Sequence, residues 1–146
     1  MFSLKFLFSN TLLKSFNILV IESETDTKLK TISYLKNNSF EVDTADTGKD
    51  GIIKAYTGKF DFIIIDIMTP NRDGLTALSH LKYMPETKNI PIGVYTSIPE
   101  SLVLNDNPQA NKNWEFYWQK NIVNISTISK QIRGFLELSE RFIDSR

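Results

Sequence analysis

The chain contains no cysteine and a single histidine, His80, among its 146 residues. The missing thiols exclude disulfides, thiolate metal sites and cysteine nucleophiles together, and their absence fits a reducing compartment, so a cytoplasmic location is expected. One histidine rules out a His-rich metal centre. Neither sign of charge dominates, since 17 basic residues face 17 acidic ones and the formal net charge is zero. No whole-chain field therefore draws the protein to nucleic acid or to an anionic membrane surface, and neither is expected as a partner. No apolar run approaches the roughly 18 residues that a membrane-spanning helix needs. What remains is ordinary for a globular domain, with 41% hydrophobic and 23% charged residues in a length that suits one core.

Residues 1–15 carry Lys5 and Lys14 and no acid, which admits a targeting reading. Ser9, Asn10 and Thr11 interrupt the apolar run, however, and no small-residue cleavage site follows. The segment is read as an N-terminal extension, with one domain over 16–143 and no further domain after the last helix.

Two short unbroken runs of β-formers, Asn17–Ile21 and Phe62–Ile65, read as strands buried on both faces of a parallel sheet. Phe40–Thr44, Ile92–Tyr95 and Phe116–Gln119 supply three more strands. Helical spacing recurs between them: Leu29, Ile32 and Leu35; Ile52, Ile53 and Tyr56, ending near Gly58; then Leu75–Tyr83. Ser97–Asp106 reads as a short helix with Pro99 in its first turn, and Asn105–Asn113 as a loop. Ile125, Ile128, Ile132 and Phe135 mark a closing helix with Lys130, Arg133 and Glu137 on its other face. Strands alternating with helices imply right-handed crossovers and a parallel sheet covered on both sides, an α/β doubly wound fold.

Such sheets place their ligand crevice at the carboxyl ends of the strands. Glu22, Ser23 and Glu24 follow the first strand, Asp66 the third, Thr96 and Ser97 the fourth, and Lys120 the fifth. This set suits phosphoryl transfer to a carboxylate. Asp66 would be the nucleophile, Lys120 would offset charge on the phosphoryl oxygens, and the Thr96 hydroxyl would hydrogen-bond one of them. Incoming phosphate adds negative charge to an acidic site, so a hard cation such as Mg²⁺ is required to bridge the oxygens. The reading requires the Asp66 carboxylate to be open to solvent with the Lys120 ammonium in reach.

The segment FDFIIIDIMTPNRDG, residues 60–74, together with Thr96, Tyr117 and Lys120, resembles the receiver domains of response regulators over about Asn17 to Phe142. The resemblance implies a flavodoxin-like five-stranded sheet in the order 2-1-3-4-5, Asp66 as phosphoacceptor, and Thr96 with Tyr117 as the switch pair. It implies Mg²⁺ held by Glu22, Asp66 and the Met68 backbone carbonyl, with Ser23 or Glu24 as further candidates. Pro70 and Asp73-Gly74 match the turn pattern. The expected partners are a histidine kinase or phosphotransfer protein and a downstream protein target. The function implied is that of a stand-alone phosphorelay module, not an enzyme beyond self-phosphorylation from small donors and autodephosphorylation.

Three departures accompany the resemblance. Ser23 stands where the family has a second acid, and a hydroxyl is a poor Mg²⁺ ligand, so weak metal binding is expected. Ser23 also suits the N-cap of the first helix, with Glu24 and Asp26 in its first turn. Asn121 replaces the proline after the lysine, where a cis peptide would cost roughly 3 kcal/mol. Asn111-Lys112-Asn113-Trp114 replaces a small-residue segment. These leave open a pseudo-receiver, an interaction module that works without phosphorylation. A nucleotide-binding cradle is disfavoured by Glu22, Glu24 and Asp26 after the first strand. A haloacid-dehalogenase-type phosphatase is disfavoured by Met68, where that chemistry wants a second acid.

Overall fold

The computed structural model describes residues 14–70 and 73–144. The N-terminal extension up to residue 13, and Asn71-Arg72 of the expected turn, lie outside the described residues. Five parallel strands, β1 (Phe16–Ile21), β2 (Phe40–Ala45), β3 (Phe62–Ile65), β4 (Ile92–Thr96) and β5 (Phe116–Gln119), pair in the order β2-β1-β3-β4-β5. Helices α1 (Thr25–Asn37), α2 (Gly48–Thr57), α3 (Asp73–Tyr83) and α4 (Glu100–Asp106) connect them, and α5 (Ile125–Asp144) closes the chain. This is the expected doubly wound, flavodoxin-like topology.

Alternation along the central strands divides the core. Ile18, Val20, Phe62 and Ile64 face α1 and α5, where they meet Leu35, Ile128, Ile132 and Leu136. Leu19, Ile21, Ile63 and Ile65 face the other way, against Ala55, Ala77, Leu78, Leu81 and Val103 of α2, α3 and α4. Each fully buried aliphatic side chain contributes on the order of 2 kcal/mol, so β1 and β3 anchor the fold. Their carboxyl ends are correspondingly rigid platforms.

The expected helix faces need correction. Leu29 is 58% exposed, and α1 packs instead through Thr31 and Leu35. Ile53 and Tyr56 are also exposed, while α2 buries Gly48, Gly51 and Ala55. The cause is close approach: a Cβ on Gly51 would lie 2.4 Å from Ile21 Cδ1. Pro99 is the N-cap of α4, not a residue of its first turn, and the expected loop over Asn105–Asn113 contains a 3-10 turn at Ala110–Asn113. Asp73-Gly74 open α3 and so belong to a helix, not to a free turn. Arg133 is not on a solvated face, because its guanidinium lies 4.5 Å from the Phe40 ring centroid.

The aromatic residues before and within β5 pack. Phe116 stacks on Trp118, Trp118 covers Gly93, and Trp114 rests against Tyr117.

Candidate functional site

β1 and β3 end side by side, with Ile21 paired to Ile65, so the next residue of each, Glu22 and Asp66, projects at the same sheet edge. Lys120 leaves β5 at that edge, held by a 2.7 Å hydrogen bond from its backbone N–H to the Thr96 carbonyl. Its ammonium crosses the end of β4 and donates to Glu22 Oε1 at 2.6 Å and to Asp66 Oδ2 at 2.7 Å. Residues 98 and 54 positions apart thus converge on one atom. The second Asp66 oxygen accepts from the Met68 backbone N–H at 2.8 Å, and the second Glu22 oxygen from the Glu24 N–H at 3.3 Å.

The cluster is buried, with Glu22 3% and Asp66 5% exposed. Asp66 is therefore not open to solvent as expected. Lys120 lies across both carboxylates and itself keeps little exposure, so the group that neutralises them also covers them. Burial pushes the Glu22 carboxyl above its ordinary range, and the Asp66 charge adds to this, while the Lys120 hydrogen bond opposes it. Burial works against the Lys120 charge, but the hydrogen bonds to Asp66 and Glu22 outweigh it and raise the ammonium above its ordinary value. Two carboxylates aimed at a single point form a donor set that a hard divalent cation can share. Among the described residues, no three His, Cys, Asp or Glu side chains gather as a metal cluster.

Glu24 is the N-cap of α1. Its carboxylate accepts from the Asp26 and Thr27 amides at 3.1 and 2.8 Å, which replaces the expected Ser23 cap and places Glu24 before the first turn. Ser23 is half-buried beside it. Thr96 is fully buried at the end of β4, and its hydroxyl has no hydrogen-bond partner among the described residues. An unpaired buried hydroxyl of this kind is costly. Tyr117, two strand positions before Gln119, donates its hydroxyl to the Ile98 carbonyl at 2.7 Å. Burial first, then the charges of Glu100 and Asp66, pushes its phenol up to about 12. The peptides are all trans among the described residues, and Asn121 takes a left-handed φ of 71°.

The profile of the response regulator receiver domain matches residues 18–113. The chain belongs to this family.

The receiver is 35% identical over 81 residues to the transcriptional regulatory protein CusR of Escherichia coli, a match covering 56% of the chain and 35% of that protein. It is 29% identical over 80 residues to ResD of Bacillus subtilis, covering 55% of the chain and 32% of that protein. The matches thus span about a third of these curated relatives' length. Among solved structures, a receiver domain protein from Methanospirillum hungatei superposes with a TM-score of 0.76 at 21% identity, covering 88% of this chain and 98% of that one. TrrA of Thermotoga maritima, solved in complex with Mg(2+)-BeF, gives 0.69 at 21% identity and covers 81% and 96%. These structural likenesses bear on the fold. No helix among the described residues is long and apolar enough to cross a membrane.

Of the residues singled out in the sequence, the receiver brings Glu22, Asp66 and Lys120 into contact and sets Thr96 at the neighbouring strand end. Glu24 is committed to α1. Two contributors were not legible as site residues. Asp73 accepts from the Gly48 and Lys49 amides at 3.1 and 3.3 Å and from the Thr69 hydroxyl, fastening the loop after β3 to the start of α2. The sequence carried no signal for this, because Asp73 lies 25 and 24 positions from the amides it accepts from, and α2 already has Thr47 as its cap. Tyr95, adjacent to Thr96, lies against the Lys120 ammonium.

Proposed function

We propose that this receiver accepts a phosphoryl group on Asp66 from a phosphohistidine of a histidine kinase or phosphotransfer protein, and that the modified state alters its binding to a downstream protein. The observation that carries this reading is the convergence of the Asp66 and Glu22 carboxylates on Lys120 at the carboxyl edge of the sheet. Transfer breaks the P–N bond of the donor and forms a P–O bond to Asp66. The departing imidazole nitrogen keeps the electron pair and takes up a proton. Glu22, Asp66 and the Met68 backbone carbonyl would hold a Mg²⁺, which when bound supplies positive charge for the phosphoryl oxygens.

Lys120 has to withdraw from its position across Asp66 to admit the donor, and then pairs with the new phosphoryl oxygens. Thr96, with an unsatisfied hydroxyl, gains its first hydrogen bond by turning to that group, and Tyr117 rearranges with it. Read as a stand-alone module, the receiver has as its output the changed surface of α4, β5 and α5.

A second reading, a phosphorylation-independent interaction module, is favoured by the burial of Asp66 beneath Lys120 and by Ser23 in place of an acid. One experiment separates them. Incubation with phosphoramidate and Mg²⁺, followed by intact mass, is expected to show one hydroxylamine-labile phosphoryl group that Asp66→Ala abolishes. No gain on the wild type would favour the second reading over the first. A gain that persists in Asp66→Ala would remove Asp66 from the reaction.

A further inference from the structure

Lys120 both neutralises and covers the two acids, held to them by hydrogen bonds of 2.6 and 2.7 Å, and it has a further neighbour on its other side. An open cleft of about 400 Å³ runs beside it, bordered by Thr27 and Lys30 of α1 and by Ser97, Asn121 and Tyr95. An ammonium at the rim of such a cleft has water available as a competing partner, and of the two charged side chains that also line it, Glu24 attracts the ammonium while Lys30 repels it. The backbone on either side is held, by Lys120 N–H on the Thr96 carbonyl at 2.7 Å and by the Ile122 and Val123 amides on the Gln119 carbonyl, so the freedom at issue is that of the Lys120 side chain. Strand pairing places Tyr95 beside Trp118, so its side chain emerges on the α1 and α5 face of the sheet, the face from which Lys120 departs. The Lys120 Nζ lies 5.5 Å from the centroid of the Tyr95 ring. That is within range of a cation–π attraction, which grows as the cation loses water.

We propose that Tyr95 is a positioning residue for Lys120, its ring forming the wall that keeps the ammonium over Glu22 and Asp66 and out of the open cleft. The ring is suited to this, because a tyrosine is a neutral π face at physiological pH. The face of the ring is what counts, and phenylalanine is expected to replace it.

Only the kinetic part of the test rests on the phosphoacceptor reading. The first measurement is the hydrogen-exchange rate of the Lys120 ammonium, followed by nitrogen-15 NMR on the whole chain near pH 6. An aromatic face against a partly desolvated ammonium is worth about fivefold, so Tyr95→Leu is expected to speed exchange by about that factor and Tyr95→Phe to restore protection. Tyr95→Met fills similar space without a ring and serves in place of leucine if that variant folds poorly. The second measurement is phosphoryl uptake from phosphoramidate. Tyr95→Leu, by letting Lys120 leave Asp66 more readily, is expected to lower the half-saturating donor concentration severalfold, and to add nothing in a Lys120→Met background. Equal protection in Tyr95→Leu and wild type, failure of Tyr95→Phe to restore it, or an undiminished effect in the Lys120→Met background would each overturn the proposal. A wild type that takes up no phosphoryl group would defeat the acceptor reading instead, and the exchange measurement would still decide the role of Tyr95.

Discussion

Replacing Lys120 by methionine keeps the stem and removes the charge, leaving Glu22 and Asp66 buried with their facing oxygens unpaired. The side chains of those two acids are 4% and 6% exposed, and that of Lys120 is 15% exposed. Removing one partner of a buried ion pair costs roughly 3–5 kcal/mol, and the open cleft beside Lys120 admits water, so the expected loss at pH 7 is about 3 kcal/mol. For a domain of this size that corresponds to a fall in Tm of about 10 °C. The sign of the pH dependence follows from Glu22, whose carboxyl already stands above its ordinary value of 4.5. A group raised in the folded state stabilises most below its unfolded pKa, and that contribution is lost as pH rises through the folded value. Without Lys120 the Glu22 value climbs further, so the variant is expected to regain stability relative to wild type between pH 7 and pH 5. Urea denaturation at the two pH values measures it. A loss under 1 kcal/mol, or the same loss at both, would refute the assignment of Lys120 as the neutralising group.

Gly74→Ala is expected to destabilise by about 3 kcal/mol or to prevent folding, since a Cβ there would sit 2.6 Å from Ile67 Cα and 2.8 Å from the Asp66 carbonyl; thermal unfolding checks it. Glu22→Gln is expected to weaken Mg²⁺ binding by about tenfold through loss of one of two carboxylates, measured by titration calorimetry. Asp73→Asn is expected to cost about 1 kcal/mol at pH 7 by weakening charge-assisted hydrogen bonds at a partly exposed site. Burial raises the Asp73 carboxyl, but the Thr69, Gly48 and Lys49 hydrogen bonds outweigh this and hold it below 3.8. Its contribution is therefore present above that value and lost as pH falls through the folded-state pKa, so the wild-type advantage should shrink in acid denaturation series below about pH 4.

The sheet was legible because buried parallel strands write themselves as unbroken runs such as Phe62–Ile65. The helices were legible as elements, and the inward face of α5 through Ile128 and Ile132 was legible too, but the faces of α1 and α2 were read only in part. Ile53 and Tyr56 carry helical spacing yet lie outward, because α2 closes on β1 through Gly51 and Ala55, and small residues leave no hydropathy signature; Leu29 lies outward because α1 packs through Thr31 and Leu35. The Ser23 cap was displaced by Glu24, whose longer arm reaches two amides at once. The meeting of Glu22, Asp66 and Lys120 followed from topology alone. The burial of Asp66 did not, since it depends on where a flexible side chain from another strand comes to rest. Tyr95 was silent for the same reason: nothing in a strand sequence says which neighbour a ring will cover.

The Tyr117 hydroxyl grips the Ile98 carbonyl, two residues before α4 begins. The ring cannot swivel without surrendering that grip, so any inward rotation unpins the entrance to α4 in the same motion. That one bond ties a ring of β5 to the approach of a helix that contributes little apolar burial of its own, Val103 being its one buried side chain.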